Sequence, residues 1–179
     1  MANLQVGDTA PDFTLPATDG KAYNLYEAFN NSRAVAVVFT CNHCPYAIAW
    51  EDRINAIARD YATRGVRLFA INANNALTHP ADSFDNMMKR ASERHFAFPY
   101  LHDESQKIAR SYGAERTPEF FIFDATKTLR YHGAVDDNYE DEHAVKHQYV
   151  RGALDAILGG REPTQPETKP VGCSIKWKS

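Results

Sequence analysis

Cys41 and Cys44 lie three residues apart in the run Cys41-Asn42-His43-Cys44, and no other pair in the chain is better placed to do chemistry. The apolar, β-branched segment from Ala34 to Thr40 leads directly into them, and Pro45 follows. A strand that ends in such a pair and turns into a helix makes the two sulfurs neighbours, because residues three apart share a helix face. Their Cα separation then falls within the ~4.4–6.8 Å that a disulfide needs. Free backbone N–H groups and the macrodipole at a helix start favour an anion, and the thiolate is the nucleophilic form of cysteine. The spacing predicts Cys41 at the helix terminus as the attacking thiol and Cys44, a turn further in, as the resolving one. His43 offers an imidazolium beside the Cys41 sulfur, which would lower its pKa further and make the disulfide more oxidising; the plainer reading is a solvated polar side chain. Pro45 is tolerated because first-turn N–H groups have no intrahelical partner.

A Cys-x-x-Cys pair is also half of a zinc site, but no second pair completes four ligands, and a strand–helix–strand setting favours redox chemistry. Soft thiolates suit Cu(I) as well, so a non-enzymatic copper-handling protein is an alternative. Of the seven histidines only His43 is adjacent in sequence; His132 and His143 would have to approach through the fold. No metal and no other cofactor is expected. The third cysteine, Cys173, has two readings. It is a free thiol on a mobile tail, or the tail folds back and Cys173 exchanges with the pair. A proline-rich, extended linker has the reach for the second, and Val171, Ile175 and Trp177 offer apolar side chains for docking.

The elements that must hold these residues are legible from periodicity. Residues 12–25 read as a hairpin around Asp19-Gly20. Segments 34–40 and 66–72 read as buried strands, and between them Trp50, Ile54, Ile57 and Tyr61 recur at helical spacing up to Gly65. That is a βαβ unit, so the two strands should be parallel. A second helix is expected over 80–95 with Asp82 as its N-cap, then an extended piece at 98–102 and a short helix over 104–112 closed by Gly113. Residues 120–124 and 128–131 read as an antiparallel pair, and a last helix as covering 141–158. This divides the chain into a domain over 1–160 and an extended linker and tail over 161–179.

With 179 residues, 44% of them apolar and 24% charged, the chain has the size and composition of one globular domain. A net charge of −3 without a block of Lys or Arg argues against nucleic acid as a partner. The longest apolar run is far short of a membrane span, and the N-terminus lacks a charged cap followed by an apolar stretch. A cytoplasmic protein is expected. An odd cysteine count in a chain this long does not suggest a secreted disulfide scaffold.

The pieces GDTAPDFTLPATDGK, VVFTCNHCP and RTPEFFIFD, in this order, resemble the redoxin branch of the thioredoxin superfamily, which includes AhpC/TSA proteins and TlpA-like thioredoxins. The resemblance covers about residues 5–160, and VGCSIKWK resembles the tail of a group of thioredoxin-family proteins. It implies an α/β fold: a three-layer α/β/α sandwich with a mixed central sheet, an N-terminal β-hairpin and a helical insertion over 73–103. It also implies that Thr117-Pro118 is a cis-proline turn facing the cysteines, with the Thr117 backbone pairing to an extended substrate. The implied activity is thiol–disulfide exchange with a protein or small-molecule disulfide, fed by an unidentified reductant. The chain departs from the Trp-Cys-Gly-Pro-Cys of thioredoxin, with Thr40 before Cys41 and Asn42-His43 between the cysteines. No acid lies in the preceding strand; Glu119 is a substitute, although a strand residue at the edge is the simpler reading. A thiol peroxidase is a further alternative. Matched to the peroxiredoxin pattern Pro-x-x-x-Thr-x-x-Cys, Cys44 would take the peroxidatic place, with Cys41 at the threonine, Val37 at the proline and Pro118 at the arginine.

Overall fold

A computed structural model describes residues 3–179 of the chain. A short hairpin comes first, β1 (Thr14–Pro16) and β2 (Ala22–Asn24), paired antiparallel as expected, and the five-residue helix α1 (Leu25–Phe29) follows at once. Asn24 caps this helix by accepting from the Glu27 N–H at 2.9 Å. The sequence reading had no helix there, because one turn is too short to show a 3.6-residue period.

The central sheet has five strands in the order β5-β4-β3-β7-β8. Strands β3 (Ala34–Phe39), β4 (Val66–Asn72) and β5 (Tyr100–His102) are parallel, while β7 (Glu119–Asp124) pairs antiparallel with both β3 and β8 (Leu129–Gly133). Every residue of β3 is buried, and its alternation divides the core in two. Ala34, Ala36 and Val38 face Trp50, Ile54, Ile57 and Tyr61 of α2 (Pro45–Ala62). Val150, Ala153 and Leu154 of α5 (Tyr149–Leu158) complete that side. Val35, Val37 and Phe39 face Leu25 and Phe29 of α1, the hairpin, and Ala109 and Tyr112 of α4 (Lys107–Tyr112). A strand covered on both faces has no polar side to show, which is why this one reads as a continuous apolar run. The result is the expected three-layer α/β/α sandwich with a mixed sheet. No described helix is long and apolar enough to cross a membrane.

Three boundaries differ from the sequence reading. The segment expected as one helix over 80–95 is a 3-10 turn, Pro80–Asp82, followed by α3 (Phe84–Glu93). Its cap is Ser83, which accepts from the Asn86 N–H at 3.2 Å, and Asp82 is freed to turn inward. The last helix begins at Tyr149, preceded by an isolated 3-10 turn over Glu142–Ala144. Helix α2 begins at Pro45, with Cys44 as its N-cap, so Cys41, Asn42 and His43 form a loop in front of the helix. Proline at the first helical position accounts for this: its fixed φ suits the first turn, and the residue before a proline is pushed towards extended backbone. Cys44 has φ −69° and ψ 126°.

The segment after Gly160 runs back over the domain and bonds to it at several points. His132 N–H donates to the Pro166 carbonyl and Thr168 N–H to the His132 carbonyl, both at 3.0 Å. The chain ends in β9 (Cys173–Ser174), paired antiparallel with β6 (Arg116–Thr117) in register Thr117 to Cys173.

Candidate active site

Three loops and one strand converge at the start of α2. Cys41 and Cys44 pack against each other and Ala47, and Cys173 lies against this cluster. The Thr117-Pro118 bond is cis. The Thr117 hydroxyl is 3.5 Å from the Cys41 sulfur, and the Cys44 thiol donates to the Thr117 carbonyl at 3.4 Å. Thus Cys41, Cys44, Thr117, Pro118 and Cys173, read from opposite ends of the sequence, come together in one place.

Asp82 is the residue that sequence reading missed. It is fully buried, and its carboxylate organises the Cys41–Cys44 loop. Oδ1 accepts from the Asn42 backbone N–H at 2.7 Å and from Asn72 Nδ2 at 3.1 Å; Oδ2 accepts from Asn74 Nδ2 at 3.0 Å. His43 Nδ1 stands against the same carboxylate without an aligned hydrogen bond. Tyr100 completes the network, donating to Asn42 Oδ1 at 2.7 Å. A cap position was the only role that the local pattern around Asp82 suggested. Its true signal is the set Asn42, Asn72, Asn74 and Tyr100, which no sequence spacing brings together.

This network decides where charge sits. Cys41 is held above the ordinary thiol range: it donates to Cys44, it is buried, and the Asp82 carboxylate repels its thiolate. Cys44 is held below that range. The Cys41 thiol beside it, the Cys173 thiol and the backbone N–H groups of Ala47 and Cys173 favour its thiolate and outweigh the cost of burial. On ionisation the Cys44 thiol gives up its bond to the Thr117 carbonyl and keeps these donors. Helix α2 thus starts after Cys44 rather than at Cys41, and within the pair the charge is favoured at Cys44. His43 faces Asp82, which offsets the charge His43 was expected to bring to Cys41. Its ring stacks on His79 with centroids 5.5 Å apart.

Ligand atoms of Cys41, His43 and Asp82 lie within 4.8 Å of one another. Both Asp82 oxygens already accept hydrogen bonds, so the trio fits a charge network better than an open coordination site. His132 and His143 join no ligand cluster with the cysteines among the described residues. His132 instead bonds Glu119 at 2.6 Å and stacks on Phe121. Glu119 is buried, against the expectation of an edge residue. Its carboxylate accepts from the Glu115 and Arg116 N–H groups at 2.7 and 2.8 Å and so fixes the loop that leads into Thr117.

The Redoxin family model matches residues 5–148. The chain belongs to the Redoxin family. Two solved structures are similar over nearly its whole length. A hypothetical protein of Sinorhizobium meliloti 1021 is 35% identical, covering 99% of this chain and 97% of its own, with a TM-score of 0.92. An uncharacterized conserved protein of Geobacillus kaustophilus is 40% identical, covering 97% and 93%, with a TM-score of 0.91. The peroxidoxin BcpB of Mycobacterium tuberculosis is 18% identical over 88% of this chain and 96% of its own, with a TM-score of 0.65, and shares the fold. No curated protein sequence matches. For this redoxin the family indicates oxidoreductase chemistry of the thioredoxin-like kind, and the cysteine cluster is where such chemistry would reside.

Proposed function

We propose that this redoxin is a thiol–disulfide oxidoreductase that uses Cys41 and Cys44 as a dithiol. The observation that carries the reading is the packing of Cys41 and Cys44 against each other at the start of α2, with the Thr117 hydroxyl beside the Cys41 sulfur and the Thr117 carbonyl accepting from Cys44. One sulfur is poised as a thiolate and its neighbour carries the proton, the starting arrangement for exchange. When the pair closes to a disulfide, two electrons pass to a disulfide substrate, which leaves as two thiols. The substrate is a protein or small-molecule disulfide, the reductant a dithiol or thiol of the cytoplasm.

The test is reduction of insulin disulfides with dithiothreitol as the electron source. Wild type should turn over and, when oxidised, carry a Cys41–Cys44 disulfide by peptide mass analysis. Cys41→Ser and Cys44→Ser should each abolish turnover. Wild-type turnover retained by both variants would overturn the reading.

One observation favours a second reading, peroxide reduction: the capped, charge-stabilised sulfur is Cys44, the place a peroxidatic cysteine would take. Against it, Cys41, Val37 and Pro118 stand where the residues that activate a peroxide would be. Consumption of hydrogen peroxide faster than insulin reduction, lost in Cys44→Ser, would put this reading first.

A further inference from the structure

Both cysteines of the pair are buried: Cys41 is 3% exposed and Cys44 0%. Cys173 is half-buried, and it is the cysteine of the cluster that an outside molecule can touch. The segment carrying it is built into the site. Cys173 pairs with Thr117 across β6 and β9 and packs against the Cys41–Cys44 cluster, where its presence favours the Cys44 thiolate. Ile175 is buried in the core with Phe39 and Tyr112. Beyond it, Ile175 N–H donates to the Glu115 carbonyl at 2.9 Å and Asn75 N–H to the Lys176 carbonyl at 2.8 Å. Lys176 N–H donates at 2.9 Å to Oδ1 of Asn74, the same side chain whose Nδ2 donates to Asp82. Gly172 permits the approach: a Cβ there would lie 2.0 Å from the Thr117 carbonyl oxygen. The tail thus occupies the backbone edge that an extended peptide would need in order to add to Thr117.

We propose that Cys173 is the port of this redox centre, taking an external disulfide and passing it inward to Cys44, with the C-terminal strand seated as a built-in substrate on the Thr117 edge. The proposal rests on the reading of Cys41 and Cys44 as a redox dithiol. Three exchanges complete it, and each breaks one S–S bond as it forms another. Cys173 attacks an external disulfide and gives its proton to the thiolate that leaves, so a mixed disulfide forms on Cys173 and one thiol is released. The Cys44 thiolate attacks the Cys173 sulfur, giving Cys44–Cys173 and releasing the second as a thiolate. Cys41, its proton passed to the thiolate released in the second exchange, attacks the Cys44 sulfur, giving Cys41–Cys44 and releasing the Cys173 thiolate, which takes a proton from water. Two electrons have left the protein and one external disulfide has become two thiols. Run backwards, the same steps let an external dithiol recharge the pair.

The experiment uses the full chain with glutathione disulfide as the oxidant. In Cys41→Ser the second step has no successor, so a Cys44–Cys173 disulfide should accumulate in the peptide mass map. In Cys44→Ser the first step has none, so glutathione should remain on Cys173. Cys173→Ser keeps the strand and should lose its free thiols about tenfold more slowly than wild type, since access limits exchange. If oxidised Cys41→Ser carries glutathione on Cys44 and no Cys44–Cys173 link, or if Cys173→Ser oxidises at the wild-type rate to a Cys41–Cys44 disulfide, the port is refuted and the dithiol reading stands. If wild type forms no Cys41–Cys44 disulfide at all, both fall.

Discussion

Replacing Ile175 with alanine should open the tail without unfolding the domain. The Ile175 side chain is buried among Phe39, Tyr112 and Ala114, and the tail reaches this core only through it. Truncating a buried isoleucine to alanine costs about 2–4 kcal/mol, the lost transfer energy plus the cavity left behind. The bonds of Ile175, Lys176 and Lys178 to Glu115, Asn75 and Gln106 are present in the docked tail of wild type and variant alike, so they cancel in the difference. If the tail opens as its own unit, the full cost falls on that opening, a rise of about 30- to 800-fold in the open population at 1.36 kcal/mol per decade. Amide hydrogen exchange reads this directly. Protection at Cys173, Ile175 and Lys176 should fall by that factor, while the amides of β3 and β4 lose far less. Alkylation of Cys44 by iodoacetamide under native conditions should accelerate in parallel. Equal losses in the tail and in β3 would show that Ile175 is only one more core residue and that the tail has no opening of its own. No loss at either would refute the packing argument.

Asp82→Asn should lower the Cys41 pKa in a Cys44→Ser background. The Asp82 carboxylate, within 4.8 Å of the sulfur, opposes ionisation of Cys41, so removing its charge favours the thiolate. Ultraviolet thiolate absorbance across a pH titration measures it, and an unchanged or higher pKa would count against the network. His132 makes tail docking pH-dependent. Burial disfavours its charge, but Glu119 and Glu167 outweigh that and raise its pKa, so its contribution is complete below its unfolded value near 6.5 and fades as pH climbs through the raised folded value. Tail amide protection, corrected for intrinsic exchange, should fall across that window in wild type and not in His132→Gln. Cobalt(II) added in equimolar amount to the reduced protein should give no thiolate charge-transfer band, because the Asp82 oxygens are already engaged; a strong band would instead mark a metal centre. Gly172→Ala should displace β9 through the clash with the Thr117 carbonyl and raise Cys44 alkylation much as Ile175→Ala does, with the cysteines and the core side chains left in place.

The sequence by itself determined the sandwich and the chemistry class. The run from Ala34 to Phe39 can only be a strand covered on both faces, and the spacing of Trp50, Ile54, Ile57 and Tyr61 can only be a helix lying on it. Two cysteines at that junction then imply thiol chemistry, because local backbone geometry alone makes them neighbours. Tertiary structure decided which sulfur carries the charge. The proline that starts the helix moved the cap from Cys41 to Cys44. Asp82, forty residues away in sequence, then supplied the negative potential at Cys41, and the tail supplied further donors to Cys44. Glu119 went inward for the same kind of reason: its partners, the Glu115 and Arg116 amides and His132, meet it only once β7 and β8 have paired. Periodicity reports which face of an element is apolar. The pKa of a buried thiol depends on every charge and donor within a few ångströms, and those arrive from four separate stretches of chain that only the fold brings together.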